Sequence, residues 1–415
     1  MTTGDLYAPW GSLTGIRPTK VAEKLLISGL DACSVTDALI RDYFVSPERA
    51  DLCVEVARFV LDFKNSLKSR DIALYIGIPF CTTRCDYCSF VSTDAERSFD
   101  LIEPFKKTLI KEITDSAKIV NESDLRVISV YMGGGTPTAL SADDLDDIMT
   151  ALGSSFDLTG SREYTVEAGR PDTITEQKLD VMIRHGADRI CVNPQSMSDD
   201  VLSAIGRAHN TDDIYRSVEA VRKTGAAINM DIIAGLPGDT LEGFTESIDK
   251  VIELKPENIT IHTLSLKKGS RIMLENTMPQ NKHTKNDRSD RLKFIPEAPL
   301  APLYSDDVNE MPDHAYAKLR EKFYSPYYLY RQKYITGGFE NTGWCLPGYE
   351  GIYNICMMEE FCTVLALGGG GVTKLVTDDG RIRRIFNAKY PREYVMMDEK
   401  MKENLGRIKE YAVSV

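Results

Sequence analysis

Three cysteines, Cys81, Cys85 and Cys88, stand close together in the spacing C-x3-C-x2-C. They follow an apolar run, 72–78, whose β-branched residues predict a buried strand. Thiolates bind soft metals, so this spacing suits a 4Fe–4S cluster, a zinc site or a redox dithiol. A structural zinc site needs four ligands, and no further cysteine or histidine follows Cys88 until His185. A dithiol leaves Cys81 unexplained, whereas a cluster held by three thiolates keeps one iron open for a ligand, so the cluster is favoured.

A run of glycines forms the second group of candidate residues. Gly133, Gly134 and Gly135 follow another apolar run and precede Thr136 and Pro137. Without a Cβ, such a backbone can approach a ligand closely and expose its amides and carbonyls to it. The structural alternative is a tight turn between a strand and a helix.

Polar side chains at the ends of later apolar runs form the third group. Glu167 closes one run, Gln195 follows the next and Asp231 lies inside another. A carboxylate in such a place can bind an amino group or a ribose hydroxyl, and a buried carboxylate needs a ligand or a basic partner. Arg207 is a candidate for that partner. Helix capping or a salt bridge is the alternative for Glu167, and a solvated helix position is the alternative for Arg207.

The elements that must position these residues begin at residue 71, where short apolar runs alternate with longer amphipathic ones. The predicted strands are 72–78, 127–132, 163–167, 189–192, 227–234 and 258–264. The predicted helices lie near 100–120, 141–152, 175–185, 198–205, 211–224 and 240–254, with helix starts at Ser141 and Asp239. Six βα repeats predict parallel strands with helices outside, in a doubly wound sheet or a full or partial barrel. Because ligands bind at the carboxyl ends of such strands, the three groups are predicted to meet there.

The flanking regions predict two further units. We divide the chain into a helical segment at 1–70, the βα core at 71–266 and a smaller C-terminal domain at 267–415, which opens with a long connection at 267–312. In the last unit, Arg331 and Lys333 adjoin a tyrosine-rich stretch at 327–330. Basic and aromatic groups of this kind can bind carboxylates and flank a flat ligand, and core packing is the alternative.

Composition narrows the possible partners. The 415-residue chain carries a net charge of −12, which argues against nucleic acid or an anionic membrane as the main partner. No stretch approaches the ~18 apolar residues of a membrane span, and residues 1–10 lack the pattern of a signal peptide. Nine cysteines, an odd and clustered set, do not predict a disulfide framework. We therefore expect a cytoplasmic protein.

Taken together, these residues resemble the radical S-adenosylmethionine (SAM) superfamily. The resemblance rests on C-x3-C-x2-C with Gly-Gly-Gly-Thr-Pro at 133–137. The amino-acid sequences of segments 75–81 and 231–237 are similar to those of the branch that contains the oxygen-independent coproporphyrinogen III oxidases, also called coproporphyrinogen dehydrogenases. Within that branch, segments 13–20, 167–172 and 326–333 resemble the coproporphyrinogen dehydrogenases. Three departures stand out: Gly77 replaces the family's histidine, Phe90 replaces an additional cysteine, and the Glu-x-Asn-Pro motif is one residue longer at 167–171.

The resemblance implies a fold, cofactors and ligands. The fold would be a partial (β/α)6 TIM-type barrel of parallel strands. The three cysteines would hold a 4Fe–4S cluster whose open iron binds SAM, and Tyr75 would lie beside the cofactor. Arg331 would meet a substrate carboxylate. The remaining SAM contacts implied are Gly134, Gly135, Thr136, Glu167, Gln195, Arg207 and Asp231.

The resemblance also implies an activity. The oxidases of this branch use a 5′-deoxyadenosyl radical to convert propionates of coproporphyrinogen III into the vinyl groups of protoporphyrinogen IX, in haem biosynthesis. An electron donor such as flavodoxin or ferredoxin would reduce the cluster. Two alternatives stay open: a haem-binding, chaperone-like radical SAM protein, and a radical SAM enzyme that acts on another substrate.

Overall fold

A computed structural model describes residues 9–15, 17–90, 93–265, 270–271, 306–331, 338–377 and 379–414. Most of the predicted connection at 267–312 and the predicted ligand Lys333 lie outside these residues. The described α-helices are α1 (Thr19–Ile27), α2 (Ala32–Tyr43), α3 (Pro47–Ser66), α4 (Phe99–Glu122), α5 (Ala142–Ser155), α6 (Glu176–Arg184), α7 (Asp199–Ala204), α8 (Thr211–Thr224), α9 (Leu241–Glu253), α10 (Met311–Glu321), α11 (Ile352–Glu359), α12 (Pro391–Val395) and α13 (Asp398–Ser414). None of these helices has the length and apolar character needed to cross a lipid bilayer.

The strands of the described residues build one large sheet and one small one. They are β1 (Asp71–Ile78), β2 (Phe80–Cys81), β3 (Thr93–Asp94), β4 (Arg126–Gly134), β5 (Tyr164–Glu167), β6 (Arg189–Cys191), β7 (Ala227–Ala234), β8 (Asn258–Thr263), β9 (Ser325–Arg331), β10 (Glu340–Cys345), β11 (Thr363–Gly368), β12 (Val372–Val376) and β13 (Ile382–Phe386). The large sheet has the order β13-β12-β11-β1-β4-β5-β6-β7-β8-β10-β9, and β2 pairs with β3 separately.

The central part of the large sheet is parallel. Every neighbouring pair from β11 through β1 and β4 to β8 runs parallel, whereas the pairs at both outer ends are antiparallel. The order is linear, so the described strands do not close into a barrel. The predicted α/β fold with parallel strands is therefore confirmed, and its open six-stranded core is compatible with a partial barrel.

The six core strands form where the apolar runs predict them. In β1 seven of eight residues are buried, as expected for a parallel strand covered on both faces. Ser141 caps α5 by accepting a hydrogen bond from the amide of Asp144, as predicted. The predicted cap at Asp239 is wrong by one residue. Thr240 caps α9 instead, and accepts from the amide of Gly243.

The C-terminal residues extend the same sheet at both of its ends. Strands β9 and β10 continue it beyond β8, and β11 lies directly beside β1. The N-terminal helices are tied to this region as well, because Thr19 donates a hydrogen bond to Glu359 and Arg17 pairs with Glu360 at 3.0 Å. The division of the chain at residues 70 and 266 stays a prediction, and the large sheet contains strands from both sides of the second boundary.

A close backbone contact joins β11 to the end of β1, just before the cysteines. Gly77 pairs with Gly368, and the amide of Gly369 donates to the carbonyl of Gly77 at 3.0 Å. A Cβ on Gly77 would lie 2.5 Å from the Gly369 carbonyl oxygen, which is part of the backbone and cannot easily move. The glycine that replaces the family's histidine is therefore required by the approach of β11.

We expect Gly77→Ala to lower the free energy of unfolding by about 1–3 kcal/mol, because the added methyl group overfills this contact. Urea unfolding followed by circular dichroism measures the change. Gly153→Ala is the matched control, since nothing lies within 4 Å of its Cβ position on α5. There the same substitution is expected to stabilise the protein by roughly 0.5–1 kcal/mol through helix propensity. Equal effects at the two sites would contradict the prediction.

Candidate active site at the carboxyl ends of the parallel strands

The structure brings the predicted residues to one edge of the sheet. The cysteines follow β1, the glycines close β4 and Glu167 closes β5. Gln195 follows β6 and lies level with Asp231, because its amide donates to the Asp231 carbonyl at 2.9 Å. Parallel strands present their carboxyl ends at a common edge, so residues from five separate parts of the sequence share one site.

The cysteine loop is fixed to the glycine run by main-chain hydrogen bonds. The amides of Gly135 and Thr136 donate to the carbonyls of Ile78 and Phe80, both at 2.7 Å. The hydroxyl of Thr136 lies 3.5 Å from Cys81 Sγ. A Cβ on Gly135 would lie 2.3 Å from the Phe80 carbonyl oxygen, so this approach needs glycine. The glycine run, the second group of candidate residues, therefore holds the loop that carries the first group.

The three thiols lie near one another, with Cys85 buried and Cys81 and Cys88 partly exposed. Burial raises the pKa of Cys88 to about 11, and the thiols of Cys85 and Cys81 act in the same direction. Within the described residues, no three His, Cys, Asp or Glu side chains are grouped to hold a single metal ion. Three thiolates can hold a 4Fe–4S cluster with one iron left open, whereas a structural zinc site needs four ligands.

Two arginines hold the cysteine loop from the other side. Arg207 donates to the hydroxyl of Tyr87 at 3.0 Å and to the carbonyls of Gly169 and Asn193 at 3.1 and 3.2 Å. Arg170 donates to the Sγ of Cys85 at 3.4 Å. Arg207 was predicted from the sequence, whereas Arg170 appeared there only as part of a lengthened motif. The signal that could have identified Arg170 in the sequence is its position just after the end of a predicted strand.

Glu167 lies at the centre of a group of tyrosines. Tyr131 donates to Glu167 Oε1 at 2.6 Å, and the rings of Tyr131 and Tyr353 stack with centroids 4.3 Å apart. Tyr75 stacks on Tyr353 at 5.7 Å. Burial raises the pKa of Glu167 to about 7; the charge of Asp231 adds to the increase, while the bond from Tyr131 opposes it. Sequence reasoning missed Tyr131 and Tyr353, although Tyr131 lies only two residues before the first glycine of the run.

Several buried amide groups at this edge have atoms without a partner among the described residues. They are Gln195 Oε1, Asn193 Oδ1 and Asn341 Nδ2. Asp231 accepts from Asn229 Nδ2 at 2.9 Å and lies 3.7 Å from His262 Nε2. Buried polar atoms are normally hydrogen-bonded, so unpaired ones indicate a place for a polar ligand. Donors and acceptors of this kind fit the amino, carboxylate and ribose groups of SAM.

Arg331 lies at the same end of the sheet, because β9 and β8 are both antiparallel to β10 and are therefore parallel to each other. Its guanidinium donates to the carbonyls of Leu13 and Gly338 and lies over the ring of Trp10 at 5.7 Å. The neighbouring Tyr327 and Tyr328 are buried in the core. Arg331 is thus held within the chain, and its contact with a substrate stays a prediction.

Known proteins resemble the chain over most of its length. Residues 75–251 match the model of the radical SAM superfamily. The oxygen-independent coproporphyrinogen-III oxidase-like protein HemZ of Bacillus subtilis is 39% identical over 390 residues, which are 93% of this chain and 74% of HemZ. The heme chaperone HemW of Lactococcus lactis is 29% identical over 68% of this chain and 64% of its own length, so less than two thirds of HemW is covered.

A solved structure shares the fold. Coproporphyrinogen III oxidase (HemN) from Escherichia coli, described as a radical SAM enzyme, superimposes with a TM-score of 0.56 at 18% identity. The superposition covers 83% of this chain and 71% of HemN. The chain therefore belongs to the radical SAM superfamily, among the oxygen-independent coproporphyrinogen-III oxidase-like proteins, and its cofactors are a 4Fe–4S cluster and SAM.

Proposed function

We propose that this protein converts propionate groups of coproporphyrinogen III into vinyl groups without oxygen, as a radical SAM oxidoreductase of haem biosynthesis. The observation that carries the proposal is the meeting of three thiols, a glycine run and buried amides at one sheet edge, in a chain that is 39% identical to HemZ. Atoms of these amides have no hydrogen-bond partner in the part of the chain that the structure describes. An electron donor such as flavodoxin or ferredoxin and a cytoplasmic location belong to the same proposal.

In this proposal Cys81, Cys85 and Cys88 hold the cluster. When bound, the cluster and SAM supply an electron and a hydrogen-abstracting organic radical. The protein provides the surroundings. Backbone amides and carbonyls of the glycine run, including Gly134 and Gly135, approach SAM, and the Thr136 hydroxyl lies beside Cys81 Sγ.

The remaining proposed SAM contacts lie at the end of β5, after β6, within β7 and after α7. The carboxylates of Glu167 and Asp231 accept hydrogen bonds from the amino or ribose groups of SAM. The Oε1 of Gln195, which has no partner among the described side chains, is a further acceptor. Arg207 orients Tyr87 and therefore the cysteine loop.

The substrate side of the proposal involves Tyr75 and Arg331. Each propionate that becomes a vinyl group would lose one hydrogen atom to the SAM-derived radical, one electron to a one-electron acceptor such as oxidised flavodoxin or ferredoxin, and CO2. Tyr75 is part of the stacked tyrosines beside Glu167 and presents an aromatic wall to the site. Arg331 is proposed to bind a propionate carboxylate through a charge-assisted hydrogen bond. This bond would replace the one that Arg331 donates to the backbone carbonyl of Gly338.

Anaerobic turnover tests the assignment. The reconstituted protein is incubated with SAM, dithionite and coproporphyrinogen III, and 5′-deoxyadenosine, CO2 and vinyl products are measured. We expect all three products to form, with one CO2 for each vinyl group. Formation of 5′-deoxyadenosine without any vinyl product would overturn the substrate and retain the radical chemistry. Absence of 5′-deoxyadenosine in protein that carries a full cluster would overturn the radical chemistry.

A second candidate function is haem binding. The 29% identity to the heme chaperone HemW favours it, and so does Phe90, which stands where the oxidases have an additional cysteine. This candidate predicts one equivalent of haem bound per chain in a spectroscopic titration, together with SAM cleavage that is not coupled to decarboxylation. The turnover experiment separates the two candidates, because only the oxidase releases CO2.

A further inference from the structure

Arg170 lies in segment 167–171, which is one residue longer than the family's Glu-x-Asn-Pro motif. It follows β5 and precedes a short 3₁₀ turn, Pro171–Thr173, and only 3% of the residue is exposed. One terminal nitrogen donates to Cys85 Sγ and to the carbonyl of Thr83, both at 3.4 Å, and the other donates to the Thr83 hydroxyl. A buried cation thus contacts both the backbone and a sulfur of the cysteine loop.

Asp172 holds the guanidinium in this orientation. Its Oδ1 accepts from Arg170 Nε at 3.3 Å and lies 3.6 Å from His209 Nδ1. Its Oδ2 accepts from the Thr82 hydroxyl at 3.3 Å. Burial works against ionisation, but the contacts with His209 and Arg170 outweigh it and keep the pKa of the Asp172 carboxyl well below its usual range. The carboxylate therefore remains charged and fixes Arg170 from behind.

The other arginine at the site acts on a different part of the loop. Arg207 donates to the hydroxyl of Tyr87 and to two carbonyls, and none of these three acceptors is a thiol. Arg84 belongs to the loop itself and is exposed, so water screens its charge more effectively than that of Arg170. The charge of Arg207 also acts on Cys85, but Arg170 is the arginine that donates a hydrogen bond to the Cys85 sulfur.

We propose that Arg170 is a positioning residue that raises the reduction potential of the cluster, through an N–H···S hydrogen bond to Cys85 and a permanent positive charge beside it. This inference rests on the proposed role of Cys85 as a cluster ligand. One-electron reduction from the 2+ to the 1+ state adds negative charge to the cluster and its sulfurs, and a nearby donor and cation stabilise the reduced state more than the oxidised one. Partners of metal ligands commonly tune a site in this way.

A redox titration monitored by electron paramagnetic resonance tests the inference, with dithionite as the electron donor and neither SAM nor porphyrinogen present. In Arg170→Gln we expect about a tenfold smaller equilibrium constant for one-electron reduction, which is a shift of about 59 mV to more negative potential. Arg170→Lys keeps the charge but loses the planar fork, and we expect about a threefold decrease. Arg184→Gln is the matched control, because Arg184 pairs with Asp146 in an exposed position on α6 and should leave the potential unchanged.

The possible outcomes are distinct. Variants with wild-type iron content and wild-type potential would overturn the inference. If Arg170→Gln loses its iron while the melting temperature of the apoprotein is unchanged, the positioning role is supported and the lysine variant decides the effect on potential. A wild-type protein that binds no iron under the same conditions would instead overturn the proposed function. Failure of the inference and failure of the proposed function are therefore distinguishable.

Discussion

Replacing Cys85 by serine is expected to remove the iron–sulfur cluster and to reduce SAM cleavage to background. Cys85 is buried, and its sulfur accepts a hydrogen bond from Arg170. A serine hydroxyl stays protonated near neutral pH and is a poor ligand for iron, so only two thiolates would remain. The measurement is iron and sulfide per chain after anaerobic reconstitution, together with 5′-deoxyadenosine formed from SAM. The wild type is expected to bind about four irons per chain.

Cys33→Ser is the control for this substitution, because Cys33 is exposed on α2, away from the carboxyl ends of the parallel strands. It should retain full iron content and SAM cleavage. Circular dichroism must show that both variants are folded. A folded Cys85→Ser protein with the iron content of the wild type would contradict the assignment of Cys85 as a ligand.

The parallel core could be predicted because each of its strands is an apolar run that can be recognised in the sequence by itself. Strand β7 was predicted at 227–234 and is found at Ala227–Ala234, and the other five predicted core strands agree within two residues at each end. Strands covered on both faces are continuous apolar runs, and a run of this kind is visible in the sequence without knowledge of its neighbours. Because the runs also show where each strand ends, they predict that polar side chains such as Glu167 and Asp231 lie at a common edge of the sheet.

The two ends of the large sheet could not be predicted in the same way. Pairing between β1 and β11 joins Gly77 to Gly368, residues nearly three hundred positions apart. Hydrophobic periodicity predicts that a segment is a strand but does not indicate its partner. The glycines at 368–371 were visible in the sequence, yet their close approach to Gly77 depends on backbone contact between distant segments.

The residues of the candidate site also fall into two classes, those that the sequence identifies locally and those that depend on contacts between distant segments. Residues that directly follow a core strand were found from the sequence, whereas Tyr353 reaches the site from α11 in the C-terminal part of the chain. Arg170 differs from both, because its position was visible but its contact with Cys85 was not. A side chain's partner across the site depends on the relative placement of two loops, which local patterns in the sequence do not reveal.

Glu167→Gln is expected to make the apoprotein more stable in alkaline solution while weakening SAM binding. The pKa of Glu167 is raised to about 7, above about 4.3 for a glutamate in an unfolded chain. Between these values the folded state binds the proton more tightly, so the wild type loses stability as the pH rises from about 4.3 to about 7. The amide of glutamine can still accept the bond from Tyr131 but does not ionise, so this loss is absent from the variant.

Urea unfolding of the apoproteins at pH 5 and pH 8 measures the effect. The stability of Glu167→Gln relative to the wild type should increase by roughly 2 kcal/mol between these pH values, allowing for partial exposure of the site. Glu219→Gln, on the exposed surface of α8, should show no such increase. The same carboxylate is proposed to bind SAM, so Glu167→Gln should weaken SAM binding by about tenfold to hundredfold, the usual effect of losing a hydrogen bond to a charged group. Unchanged SAM affinity would contradict the proposed contact, and an unchanged pH dependence of stability would contradict the burial of a titrating carboxyl at the centre of the site.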